Sequence, residues 1–441
     1  MKQGSRLVAL ITALLLLCTG CTLDVEYFLQ PPRGEGAQQA VQAALETYIR
    51  DIGGAAARYV LKYPMEGDHT AAFYLCDENG FHTEEESEAR TAVAFYALAT
   101  SPDTVHINLL RRESGQWVSV ADAVGAGVAV RQVAFGDLNG DGTAEIVTGW
   151  TTYNNRAHQL TVYATDGGLR SLDGVRLYTA LYVGNLTATE RDSLLLLNIG
   201  AAETVTATLN ELENDTLTAV DTVRLDGTVE QFGRMTLCRL AEGVHGLFAE
   251  GYKSTGETVT ELICYDRGGL RAPFYDEQTN RTAVTTRTGQ LTARDIDGDA
   301  MVEVPYSRLL PEHTANQVGG TVTVWRAFDY ATGDWVDRAH TLMNTEDGYF
   351  VMLDEEQLST LDTAYDTATR TLDLTNRQTG QTWLRLSVGE EPESIPHEGL
   401  RQLTVFAADE RSPGCTAWYD PAVLRAEKVR YMVSRLTGQG G

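Results

Sequence analysis

Phe135-Gly-Asp-Leu-Asn-Gly-Asp-Gly-Thr-Ala-Glu145 sets oxygen atoms at a regular spacing. Asp137, Asn139 and Asp141 stand at its first, third and fifth places, counted from Asp137. Thr143 at the seventh offers a main-chain carbonyl, and Glu145 at the ninth closes the set with another carboxylate. Gly142, sixth, permits the sharp turn that wraps such a loop around an ion. An all-oxygen set at these places is the chemistry of a hard cation, Ca2+ above all, because Mg2+ demands tighter geometry and gives up its water reluctantly. A second stretch repeats the pattern with Asp295, Asp297 and Asp299, the carbonyl of Met301, and Glu303. It departs at the sixth place, where Ala300 replaces glycine and pays about 1 kcal/mol if the turn demands a positive φ. Extracellular modules of this kind bind calcium at about 10⁻⁴–10⁻³ M. The role expected of both loops is therefore to stiffen structure and not to catalyse.

The elements around the first loop decide what kind of site it is. An EF-hand would run on to a glutamate at the twelfth place between two helices. Here the twelfth residue is Thr148, inside the apolar run Ile146–Trp150, which reads as a strand. With Phe135-Gly136 in front, the stretch resembles the FG-GAP (VCBS-type) repeat of integrin-α-like β-propellers. Echoes recur at Val183-Gly-Asn-Leu-Thr, more weakly at Leu237-Cys-Arg-Leu-Ala, and again at Ala293 to Glu303. In the echo at 183 the carboxylates are replaced, by Asn185, Thr187 and Thr189, so the turn is kept and the site is not. Between echoes lie short strand runs such as Val105–Leu110, Val130–Phe135, Gln159–Tyr163, Val259–Tyr265 and Thr321–Phe328. Four short strands per cycle is the unit of a propeller blade. The resemblance implies a mainly β chain with about five to six four-stranded blades, in a closed or an incomplete ring.

The expected organisation is a leader at 1–20, a tether at 21–36, a helix at 37–54, the propeller-like repeats at 55–340 and a small α+β module at 344–441. The helix carries Val41, Leu45, Tyr48 and Ile49 on one face. In the last segment Pro421 to Leu436 reads as an amphipathic helix with Val423, Leu424, Val429, Val433 and Leu436 as its stripe. The leader has Lys2 and Arg6 before the apolar run Leu7–Leu17, too short to span a bilayer. It ends in Leu17-Cys-Thr-Gly-Cys21, which resembles a bacterial lipobox although Cys18 stands where leucine is usual. The resemblance implies that Cys21 becomes the first residue, carries diacylglycerol, and holds the chain on the outer face of the cell membrane. Cys76, Cys238, Cys264 and Cys415 remain. Cys238 and Cys264 could pair across neighbouring strands, and buried free thiols are the equal alternative.

Composition limits the partners. The chain of 441 residues has 61 acidic against 35 basic side chains, a formal charge of -26, with no basic patch to neutralise phosphates. Nucleic acid is excluded on that ground. None of the eight histidines stands in an HExxH pattern, and no nucleophile elbow or phosphate loop occurs. Acid pairs for glycoside hydrolysis leave no linear signature. The function expected is a non-catalytic binding or scaffold module of the bacterial envelope, with a protein or cell-wall glycan as partner. The alternative is a carbohydrate-active enzyme or its substrate-capturing component. The polar, aromatic insertion Tyr153-Asn-Asn-Arg156 reads first as a solvated turn, with a loop for adaptable contacts as the alternative.

Overall fold

The computed structural model describes residues 36–436 except 68, 153–157, 315–316, 390–398 and 409–412, and only the backbone at 173–175. Cys21 and Tyr153-Asn-Asn-Arg156 lie outside the described residues. Helix α1 (Gly36–Gly53) buries Val41, Leu45 and Ile49 and ends where Gly54, at φ 80°, donates its amide to Arg50 O. After it the chain is mainly β, as the strand runs predict.

Among the described residues six sheets follow one another. Sheet I orders Tyr59–Leu61, Thr91–Leu98, Val105–Glu113 and Gln116–Val124, with Phe73–Cys76 also on Thr91–Leu98. Sheet II orders Ala129–Gly136, Glu145–Thr151, His158–Ala164 and Arg170–Tyr178. Sheet III orders Ala180–Gly184, Ser193–Ile199, Val205–Glu213 and Thr216–Leu225. Sheet IV orders Val229–Ala241, Val244–Lys253, Glu257–Asp266 and Gly269–Arg271, with Arg287–Thr288 added beside Glu257–Asp266. Sheet V orders Glu303–Leu309, Thr321–Asp329, Asp334–Asn344, Tyr349–Leu353 and Val433–Arg435. Sheet VI orders Leu361–Asp366, Thr371–Asn376, Thr382–Val388, Cys415–Tyr419 and Arg401–Phe406. These antiparallel meanders are the propeller-like blade unit. Two-residue turns close several hairpins. Ser114-Gly115 (φ 48° and 84°) and Asn214-Asp215 (φ 49° and 62°) take the left-handed pair that matches strand twist.

The described residues divide into two compact units. The first holds the residues up to 185 with 189–198 and 208–221, and the second holds 186–188, 199–207 and everything from 222. Within the first, α1 covers one face of sheet I through Tyr96, Ala92 and Leu110. The other face of sheet I packs on sheet II through Phe95, Ile107, Ile146 and Trp150. Sheet II in turn packs on Leu181, Leu194 and Leu196 of sheet III. Trp150, fully buried, meets Phe95 edge-on at 6.3 Å. Each large side chain so buried contributes about 1.5–3 kcal/mol. A close approach fixes one glycine: a Cβ on Gly149 would lie 1.9 Å from the Tyr178 hydroxyl.

In the second unit sheet IV packs on sheet V through Phe248, Phe274, Phe328 and Trp335. Val322, Leu342 and Tyr349 of sheet V share a core with Leu361, Leu374 and Leu386 of sheet VI. The strand Asp334–Asn344 pairs directly with Tyr349–Leu353, so the expected border at 340–344 falls inside sheet V. The C-terminal helix is shorter than its periodicity predicts. Helix α3 here is Ala426–Met432, preceded by the short α2 (Glu355–Thr360), while Val423 is exposed. Val433 instead begins a strand on Val351, where a β-branched side chain fits a pleated face and the edge backbone of Tyr349–Leu353 gains partners.

Candidate metal centre

Both acidic loops are built on one backbone plan. Gly136 pairs with Glu145 at the mouth of the first, and Arg294 pairs with Glu303 at the mouth of the second. In the first, Asp137 Oδ1 accepts the amides of Gly140 and Asp141 at 2.6 and 3.1 Å, and Oδ2 accepts that of Gly142 at 2.8 Å. In the second, Asp295 does the same for Gly298, Asp299 and Ala300 at 2.6, 3.2 and 2.9 Å. Asp141 accepts the Thr143 amide and Asp299 accepts the Met301 amide, each at 2.8 Å. The closing glutamates accept the amides of Leu138 at 2.9 Å and Ile296 at 3.1 Å. Gly140 and Gly298 have φ of 82° and 85°, and the sixth places, Gly142 and Ala300, have 84° and 67°. Ala300 is thus strained as its place in the turn requires.

The third place sets the side-chain bonding of the two loops apart. Asn139 turns its amide nitrogen inward, to Glu145 Oε1 at 2.7 Å and Asp141 Oδ2 at 3.1 Å. Asp297 has no nitrogen to offer. Glu303 is 0% exposed, and its Oε1 is buried with no hydrogen-bond partner. Oxygens of Asp295, Asp297 and Glu303 lie within 4.8 Å of one another. Burial pushes the Glu145 and Glu303 carboxyls up to about 7, with Asp141 and Asp137 adding to the first and Asp297, Asp299 and Asp295 to the second. Crowded carboxylates with an orphaned buried oxygen fit a hard cation, which would reverse that repulsion.

The first loop is braced on both sides within its unit. Ala144 donates to Asn79 O at 2.8 Å, from a turn that Asp77 ties to the amides of Asn79 and Phe81. Opposite, the Asp137 amide donates to Asp192 Oδ2 at 3.1 Å and the Asp192 amide to Asp137 O at 2.8 Å. Burial, with Asp137 beside it, raises the Asp192 carboxyl above its ordinary value. The loop of the echo at 183 is closed by an amide: Asn185 accepts from Thr189 N at 3.1 Å and donates to Thr189 O at 2.7 Å.

All four described cysteines are free. Cys238 and Cys264 both align with Gly246, which lies on the strand between them. Two strand spacings make about 9.6 Å, beyond the reach of a disulfide. Burial pushes the thiols up, Cys238 to about 11 and Cys415 to about 12, so they are protonated and unreactive.

Other charged clusters were hidden from sequence reasoning. Arg287 bonds Glu250 at 2.8 Å and Lys253 bonds Asp226 at 2.8 Å, with all four side chains largely shielded. Glu261, also buried, accepts the Asp226 amide at 2.7 Å and the Thr282 hydroxyl at 2.9 Å. In sheet I, Asp122 accepts from Tyr96 and Asn108 at 2.9 and 3.0 Å and meets His106 Nδ1 at 2.8 Å. These partners are far apart in the chain. The available signal was an acid inside an apolar run, such as Glu250 after Leu247-Phe-Ala and Glu261 between Val259 and Ile263. A cleft of about 960 Å³ lined by Trp383, Asp354, Gln357, Asn376 and Lys428 among others lies in the second unit.

No protein-family model matches the chain. No curated protein matches it. Among solved structures it is similar to the exotype rhamnogalacturonan lyase YesX (15% identity, 77% of this chain and 69% of that one, TM-score 0.32). It is similar also to the Dos1 propeller (8%, 59% and 62%, TM-score 0.31) and to an exo-β-1,3-galactanase from Phanerochaete chrysosporium (9%, 85% and 91%, TM-score 0.28). At such scores the likeness carries no argument about activity.

Proposed function

We propose that the chain is a calcium-stabilised, propeller-like scaffold, anchored through Cys21 to the outer face of a bacterial membrane, that binds a protein or cell-wall glycan without turning it over. The observation that supports the calcium part is the orphaned Oε1 of Glu303, a residue whose carboxylate is grouped with those of Asp295 and Asp297. Asp299 and the Met301 carbonyl would complete that site. Asp137, Asn139, Asp141, Glu145 and the Thr143 carbonyl would form the other. When bound, the ion supplies charge neutralisation at the mouths of two hairpins and no reaction step.

Thermal melting of the full-length chain in chelator, calcium and magnesium tests this reading. Calcium is expected to raise the melting temperature by a few degrees, since a site of about 10⁻⁴–10⁻³ M contributes about 1 kcal/mol at millimolar ion. Magnesium should substitute poorly, and Asp295→Ala should remove much of the gain. Equal melting in all three solutions would reduce the loops to polar turns. The second reading is a carbohydrate-active enzyme, because acid pairs for glycoside chemistry leave no linear signature among 61 acidic side chains. Sugar released from pectic or galactan oligosaccharides would establish it, and binding without release would favour the scaffold.

A further inference from the structure

We infer that the two loops load in a fixed order, Asp295–Glu303 first, because the Asn139 amide holds the other loop closed. This rests on the calcium reading. The backbone plans of the loops coincide bond for bond, so the difference in loading must come from side chains. In the first loop the Asn139 Nδ2 group already bonds Glu145 Oε1 and Asp141 Oδ2, the oxygens that a cation would need. An ion can enter only after that side chain turns its oxygen inward, which loses both bonds and also the one that Asn139 Oδ1 accepts from the Asp141 amide at 2.8 Å. In the second loop nothing has to break. Glu303 Oε1 is buried and unpartnered, and a carboxylate oxygen of Glu303 lies within 4.8 Å of oxygens of Asp295 and Asp297.

Charge count points the same way. Asp137, Asp141 and Glu145 give the first loop three carboxylates, whereas Asp295, Asp297, Asp299 and Glu303 give the second four. Sites of this kind tune affinity through ligand charge. Ala300, at φ 67°, takes the same left-handed turn as Gly142 at φ 84°, so the backbone at the sixth place does not set the loops apart. Asn139 is therefore a positioning residue whose amide ties Glu145 to Asp141.

Calcium titration calorimetry on the full-length chain, stripped with chelator, tests the order. Wild type should show two classes separated by about tenfold or more. Asp297→Asn, which copies Asn139 into the second loop, should weaken the tighter class about tenfold. Asn139→Asp should strengthen the weaker class by a similar factor. Both changes are near-isosteric and exposed, and melting in chelator checks that each variant is folded. Two equal classes in wild type would overturn the order, as would a tighter class that survives Asp297→Asn and disappears in Asp141→Ala. An unchanged isotherm for Asn139→Asp would show that the amide holds nothing closed. Absence of calcium heat and of any melting shift in every variant would instead overturn the calcium reading itself.

Discussion

Arg287→Ala is expected to be severely destabilising, by a mechanism readable atom by atom. Arg287 donates to Glu250 Oε2 at 2.8 Å, to the Thr260 hydroxyl at 2.8 Å, and to the carbonyls of Thr285 and Leu291 at 3.0 and 2.8 Å. Glu250 is 2% exposed. Truncation leaves its carboxylate buried with only the Ala293 amide and the Thr260 hydroxyl as donors. Removing one member of a buried ion pair costs about 3–5 kcal/mol, chiefly the charge left behind. At about 2–4 °C per kcal/mol for a unit of this size, melting should fall by roughly 6–20 °C. Burial already pushes the Glu250 carboxyl above its ordinary value and the guanidinium below its own. Without Arg287 the acid titrates higher still, so the loss should be larger at pH 8 than at pH 5. Calorimetry of wild type, Arg287→Ala and the double variant Glu250→Gln/Arg287→Met would decide it, with the neutral pair recovering most of the loss. A fall below about 1 kcal/mol at pH 8 would refute the reasoning.

Three further expectations are measurable. Burial raises Glu261 to about 7, with the Asp226 charge adding and Lys253 opposing, against an unfolded value of about 4.3. Its stabilising contribution is full below the unfolded value and lost as pH rises through the folded one. Glu261→Gln should therefore leave melting unchanged at pH 4 and raise it by a few degrees at pH 8, and an undiminished decline in the variant would contradict this. Gly142→Ala, at φ 84° with open space around it, should lose about 1 kcal/mol in denaturant titration, while Ala300→Gly should gain less, because the added chain entropy offsets the relieved strain. Cys21→Ser should abolish detergent-phase partitioning of the expressed protein, and partitioning like wild type would remove the lipid anchor.

What was legible in the sequence was local. Alternating apolar runs bounded by Gly, Asn and Asp predict Val105–Glu113, Ala129–Gly136 and Thr321–Asp329 within a few residues, because strand period and turn chemistry are short-range properties. The loops were legible because their bonds run within nine residues. The end of the chain was not. Val429 and Val433 suit a helix by spacing, but the open edge of Tyr349–Leu353 lies about eighty residues earlier in the chain, and it claims Val433 for a strand. Arg287 and Glu250, 37 residues apart, illustrate the same limit: a buried ion pair is specified only once strands are in register. Asn139 had the right type and place, yet the direction of its amide is fixed by Glu145 and Asp141 together.

On the proposed reading, a weak ion can still matter because of where the first loop is wired. Its global contribution is small, about 1 kcal/mol at millimolar calcium, against faces of sheets I, II and III that pack through large apolar side chains without help. But Ala144 holds the Asn79 turn of sheet I, and Asp137 exchanges one backbone bond and one bond to the carboxylate with Asp192 at the entry to a strand of sheet III. The three edges therefore share one loop whose own charges repel. A cation that quiets the repulsion orders all three edges together, while the buried faces behind them stay as they are. Local opening would respond to the ion more than global melting does, because opening an edge breaks a few hydrogen bonds and exposes little apolar surface. Such a device stiffens the rim of successive blades, where the loops available for a partner are presented, and leaves the fold to the core.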